Sequence, residues 1–108
     1  MSKSPTRHFI YQRITAVLNI PLSVFLLFLI FTIPRMSYLE VSSLFQKPLI
    51  TVLTVILIIN FSYHMKLGMQ MIIEDYIHGA NNLKTALLLN NIVVLIVIIG
   101  SIYSVLTI

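Results

Sequence analysis

The chain contains no cysteine. That excludes a disulfide framework, a thiolate-held iron–sulfur cluster and a cysteine-based zinc site. Tryptophan is absent as well. Charge is scarce: 9% of the 108 residues are charged, against about 25% in a soluble domain. So few polar groups cannot cover a surface that faces water. With 58% hydrophobic residues and a mean hydropathy of +1.00, the composition belongs to the membrane class. The basic residues form no stripe, so nucleic acid is not an expected partner. No internal repeat occurs, and no loop is long enough for a soluble domain. The first apolar run is too long for a signal-peptide core and lacks a small-residue cleavage site after it. The segment Met1 to Gln12 is too short and too poor in arginine for a mitochondrial transit peptide.

What is present is three apolar runs, each near the ~20 residues that a bilayer demands. They extend approximately over 14–33, 48–73 and 85–108. Pro34-Arg35 closes the first run and Lys47-Pro48 opens the second, where proline suits a first helical turn. Gly79-Ala80-Asn81-Asn82 reads as a turn, and Pro21 as a kink inside the first span. The expected fold is an all-α membrane protein, a single domain over 1–108 with three transmembrane helices. Lys3, Arg7, Arg13 and Lys84 fall on one side, with Lys66 snorkelling toward it; Arg35 and Lys47 fall on the other. The positive-inside rule then puts the N-terminus on the cytoplasmic or mitochondrial-matrix side.

The second run carries the chemistry. His64 lies deep in it, and Glu74-Asp75-Tyr76 ends it. At ~100° per residue, Gly68, Met71 and Asp75 all fall within about 40° of His64, so the four form one stripe. Tyr76 lies about 120° round and ~18 Å nearer the membrane surface. An imidazole in hydrocarbon is expensive and points to a functional site. Gly68, one turn on, leaves a gap that a flat macrocycle against the helix needs. Structural alternatives stand beside each residue. His64 can be a packing histidine bonded to Ser, Thr or Asn of a neighbouring helix. Gly68 can be small-residue helix packing, and Glu74-Asp75-Tyr76 a polar helix end with an interfacial tyrosine. Among His8, His64 and His78, only His64 lies at depth. A six-coordinate haem would therefore need its second ligand from another chain, which implies a hetero-oligomer. Lys66 sits about 200° from His64 and stands outside this stripe.

The string His64-x-x-x-Gly68-Met-Gln-x-x-x-Glu74-Asp75-Tyr76 resembles the small membrane-anchor subunit of succinate dehydrogenase, the D-type cytochrome b subunit of respiratory complex II. The N-terminal string His8-Phe-Ile-Tyr-Gln-Arg13-Ile-Thr-Ala16 is similar to the entry of that family's first helix. The number and order of spans agree with it. The resemblance implies that His64 is an axial ligand of haem b and that Arg13 lies near the haem propionates and quinone pocket; Gly68, by its gap beside His64, would then pack against the haem. It implies that Tyr76 donates a hydrogen bond to a quinone carbonyl and that Asp75 supports that site. The second axial histidine would come from a C-type cytochrome b anchor subunit. An iron–sulfur subunit, a flavoprotein subunit, ubiquinone or a related quinone, and membrane lipid would be the other partners. The chain would lie in the bacterial cytoplasmic membrane or the mitochondrial inner membrane, and would be non-catalytic by itself.

Four other readings fit parts of the sequence. One is a purely structural anchor without haem. Another is the anchor of a quinol:fumarate reductase. A channel or transporter subunit would need Lys66, Glu74 and Asp75 along one path, yet only Lys66 lies within a span. A holin-like peptide would have no use for the His64 stripe.

Overall fold

The computed structural model describes residues 5–108; Lys3, counted above for orientation, lies outside them. Helix α1 runs over Pro5–Thr32, α2 over Tyr38–Phe45, α3 over Pro48–Tyr76 and α4 over Ala80–Thr107. A 3₁₀ turn, Ile33–Arg35, follows α1. Among the described residues there is no strand. Three helices are long and apolar enough to cross a membrane, and α2 is too short. The chain is an integral membrane protein of three long helices.

The helices outrun the hydrophobic runs that announce them. Helix α1 is already formed at Pro5, well ahead of Ile14, and includes Arg7, His8, Gln12 and Arg13. Hydrophobicity marks where lipid sits, whereas backbone hydrogen bonding continues into the polar interface. Helix α4 likewise begins at Ala80 and takes in Asn81, Asn82 and Lys84. The turn before it is Ile77–Gly79, with Gly79 at φ 89°, a conformation that residues with a Cβ rarely adopt. Helix α1 continues through Pro21.

The segment between the first two spans is not a plain loop. Ser37 caps α2 with its hydroxyl, which accepts from the Glu40 N–H at 3.2 Å, while the Glu40 carboxylate accepts from the Ser37 N–H at 2.9 Å. This reciprocal capping box is legible as Ser37-x-x-Glu40. It holds the Glu40 carboxyl below the usual carboxylate range, chiefly through the Ser37 backbone N–H. Lys47 then stands at the N-cap position of α3 without a side-chain cap bond, and Pro48 lies in the first turn. The Tyr38 and Ser42 hydroxyls donate to the Ile108 carbonyl at 3.3 and 3.0 Å, so α2 also touches the far end of α4.

Helix α3 is the middle of the bundle. It packs against α1 on one side and α4 on another, with α2 across its start. The seam between α1 and α3 changes character along its length. Toward α2 it is apolar: Leu22, Leu29, Leu44 and Leu57 are buried together, with Phe25 and Phe61 against them. Toward the N-terminus of α1 it is polar, and Thr15, Asn60 and Gln70 are buried there. Most outward side chains of α1 and α4 are exposed leucine, isoleucine, valine and phenylalanine. In water that surface would be untenable; in lipid it is ordinary.

Candidate functional site

The polar half of the seam is built from a stripe on α1. His8, Gln12, Thr15 and Asn19 follow one another at intervals of four, three and four residues. At ~100° per residue they stay within about 60° of one another, on one face. Facing them on α3 are Asn60, His64 and Gly68, spaced one turn apart. Inside a bilayer such side chains find partners across helices, because no water is there to replace them.

Thr15 is the hub. Its Oγ1 lies 2.8 Å from His64 Nδ1, and also 2.9 Å from the Tyr11 carbonyl and 3.0 Å from the Gln12 carbonyl. Its own carbonyl accepts from Asn60 Nδ2 at 3.0 Å. Asn60 Nδ2 also donates to Asn19 Oδ1. Two residues of α3, one turn apart, therefore grip the same residue of α1. The sequence offered Ser, Thr or Asn as hydrogen-bond partners for a packing histidine, and Thr15 fills that place for one ring nitrogen. The other, Nε2, bonds to no described residue and is not among the buried polar atoms left without a partner.

Gly68 stands one turn beyond His64. A Cβ built there would meet Gln12 Nε2 at 3.5 Å, an ordinary contact. Gly68 thus faces Gln12 of α1, with room for a Cβ between them. Two polar atoms near this end of the seam, His8 Nε2 and Gln12 Oε1, are buried without a partner among the described residues.

The remaining expected site residues lie apart from His64. Arg13 is exposed on α1, with its guanidinium 4.9 Å from the centre of the Phe9 ring. Asp75 and Tyr76 are exposed at the last turn of α3, which does continue that far. Tyr76 is 78% exposed. A helical rise of ~1.5 Å per residue puts it ~18 Å along the axis from His64. Among the described residues, then, Arg13, Asp75 and Tyr76 are exposed side chains set apart from His64. Each presents a surface that a neighbouring chain can complete.

Lys66 has neighbours on two helices. Its ammonium lies 5.7 Å from the centre of the Tyr63 ring, and its carbonyl accepts from Asn90 Nδ2 of α4 at 3.2 Å. With Arg7, His8, Tyr63 and Gln70 it lines a cavity of about 180 Å³ between α1 and α3. Gln70 Nε2 donates to Glu74 Oε2 at 3.4 Å. Sequence reasoning singled out neither Asn60 nor the α1 stripe. The signal was present in the spacing of His8, Gln12, Thr15 and Asn19, polar residues recurring on one face of an otherwise apolar helix.

No group of three or more His, Asp or Glu side chains suited to a metal ion occurs among the described residues. A haem asks less of one chain, a single nitrogen with a lone pair beside an open surface. At His64 one ring nitrogen is tied to Thr15 and the other bonds to no described residue.

Comparison with known proteins agrees with this layout. Residues 1–104 match the family model described as succinate dehydrogenase/fumarate reductase transmembrane subunit. The succinate dehydrogenase hydrophobic membrane anchor subunit of Rickettsia bellii (strain RML369-C) is 32% identical over 88 residues, 82% of this chain and 70% of that protein. The one from Rickettsia prowazekii (strain Madrid E) is 35% identical over 77 residues, 71% of this chain and 62% of the relative. The one from Rickettsia typhi (strain ATCC VR-144 / Wilmington) is 29% identical over 104 residues, 96% of this chain and 83% of the relative. No solved structure matches the chain. Three long apolar helices, a histidine held at depth in the middle one, and a family match over nearly the whole length lead to one conclusion: the chain belongs to the family of succinate dehydrogenase/fumarate reductase transmembrane subunits.

Proposed function

We propose that this chain anchors a succinate:quinone oxidoreductase in the membrane, contributes one axial ligand to a haem b, and supplies part of a quinone site. The names of the relatives, all succinate dehydrogenase anchors, support the succinate-oxidising direction over fumarate reduction. The observation that carries the haem reading is the state of His64, bonded through Nδ1 to Thr15 and unengaged at Nε2.

His64 Nε2 is the ligand nitrogen in this reading, and a C-type anchor subunit supplies the second histidine. When bound, the haem supplies one-electron storage close to the quinone. Gly68 adds no side chain beside the His64 ring on its own turn. Arg13, exposed on α1, suits a propionate or the quinone pocket through its planar guanidinium fork.

The quinone chemistry lies at the end of α3. The Tyr76 hydroxyl donates a hydrogen bond to a quinone carbonyl, and that bond strengthens as negative charge builds on the oxygen during reduction. Asp75 beside it holds a cationic side chain of a neighbouring subunit in place. Electrons arrive from succinate through the flavoprotein and iron–sulfur subunits, and the quinone takes up two electrons and two protons. This chain binds and orients; it never touches succinate. The N-terminus and the α3–α4 turn face the cytoplasm, the side on which Arg7, Arg13 and Lys84 lie.

The test is a reduced-minus-oxidised spectrum of the assembled complex carrying His64→Ala. The α-band of the six-coordinate haem should disappear. A spectrum equal to that of the unaltered complex would refute the ligand assignment.

A further inference from the structure

We propose that Thr15 is a positioning residue that selects the tautomer of His64: the ring proton sits on Nδ1, and Nε2 is left with its lone pair. The consequence for iron rests on the haem reading above; the tautomer itself does not.

The argument is a count of protons. Thr15 Oγ1 has three polar neighbours within 3.0 Å: the Tyr11 and Gln12 carbonyl oxygens and His64 Nδ1. A hydroxyl has one proton, and both carbonyls can only accept. Suppose the proton pointed at Nδ1. Oγ1 would then face two carbonyl oxygens at 2.9 and 3.0 Å, lone pair against lone pair, in a low-dielectric seam. Suppose instead that it points at a carbonyl one turn back, the ordinary bond of a helical threonine. Every group is then satisfied: Oγ1 donates to the helix and accepts from His64 Nδ1–H. Thr15 is only 6% exposed, so water does not offer an escape.

A neutral imidazole carries one N–H. With the proton committed to Nδ1, Nε2 is the bare nitrogen. A lone pair with no donor among the described residues suits a metal centre or a donor from another subunit. The orientation of the ring follows from the same residue. Asn60, one turn from His64 on α3, holds the Thr15 carbonyl at 3.0 Å, so the acceptor for Nδ1–H is fixed from the helix that carries the histidine. Metal-binding histidines commonly give their second N–H to such a partner, and losing it typically weakens the site about 10- to 100-fold.

Two measurements test this. The first is nitrogen NMR of the full chain, labelled with ¹⁵N-histidine and held in lipid bilayers without haem. His64 should show a proton on Nδ1 and none on Nε2, the reverse of the preference of neutral histidine in water. A proton found on Nε2 overturns the proposal. The second compares Thr15→Val and Thr15→Ser in the assembled complex, by haem content and midpoint potential. Thr15→Val should weaken haem retention about 10- to 100-fold and raise the potential, because an imidazole that no longer donates from Nδ1 is a poorer electron donor to iron. Thr15→Ser, which keeps the hydroxyl, should restore both. Equal behaviour of Thr15→Val and the unaltered complex overturns the proposal. If the valine variant fails to assemble, the NMR result on the unaltered chain decides. Haem that survives His64→Ala removes the haem reading alone, since the NMR result bears on the tautomer with no haem present.

Discussion

Thr15 of α1 and His64 of α3, 49 residues apart in sequence, meet at 2.8 Å through Oγ1 and Nδ1. That contact sets the register of the two helices on their polar half, since Asn60 grips the same threonine one turn away. Four consequences of the geometry are open to experiment.

Asn60 bridges α1 and α3 twice, to the Thr15 carbonyl and to Asn19 Oδ1. Asn60→Leu keeps the volume and removes both bonds. Bonds of this kind inside membranes are worth about 0.6 kcal/mol on average and up to ~2. The variant should be destabilised by roughly 1–3 kcal/mol, the two bonds together, in a denaturant titration in mixed micelles. No change would mean that apolar packing alone holds the seam.

Tyr76 is exposed, and its side chain makes no hydrogen bond to another described residue. Tyr76→Phe should leave stability within about 0.5 kcal/mol, as for surface changes generally. Quinone reduction by the complex should fall about tenfold, the equivalent of one hydrogen bond of roughly 1.4 kcal/mol in the transition state. Succinate oxidation with a soluble artificial acceptor should be untouched. Equal loss of both activities would point to failed assembly.

The Ser37–Glu40 capping box has a pH signature. The carboxyl of Glu40 is lowered from its ordinary value of 4.5, chiefly by the Ser37 backbone N–H. A lowered folded-state value means that the contribution is complete above the unfolded value and is lost as pH falls through the folded one. Amide-exchange protection at the start of α2 should therefore hold from neutral pH to about 4.5 and decline only below it. Glu40→Gln, which removes the carboxylate, should abolish that dependence, whereas Ser37→Ala, which keeps the backbone N–H, should only lessen it. A decline already complete above pH 5 would contradict the box.

Gly79 at φ 89° joins α3 to α4. Gly79→Ala forces a Cβ into a region that L-residues avoid, at a cost of about 1–3 kcal/mol. Thermal unfolding in detergent should show it. Gly100→Ala, where a Cβ would meet nothing within 4 Å, is the matched control and should be neutral or stabilising.

Much of this architecture was legible in advance, for reasons that lie in the solvent. Hydrocarbon tolerates only apolar, internally hydrogen-bonded segments, so the three runs announced three helices. The cost of an imidazole at depth singled out His64 in the same way. Other features were written in the chain but masked by stronger signals. Ser37-x-x-Glu40 spelled the cap of α2 between two prolines that suggested a loop. The polar stripe of α1 was diluted among leucines and phenylalanines. Asn81 and Asn82 suggested a turn, while Gly79 alone supplied the positive φ that the turn needed.

The sequence by itself determined that the chain lives in a membrane, how many times it crosses, and which histidine stands inside a span, because each follows from local composition and helical period. Only the tertiary structure decided that Thr15 is the residue that holds His64, that Asn60 ties the same threonine, and that Gly68 faces Gln12. Those pairings join residues of separate helices. Helical period fixes which face a residue occupies; which faces meet is decided by packing and by the demand that every polar group in the seam find a partner.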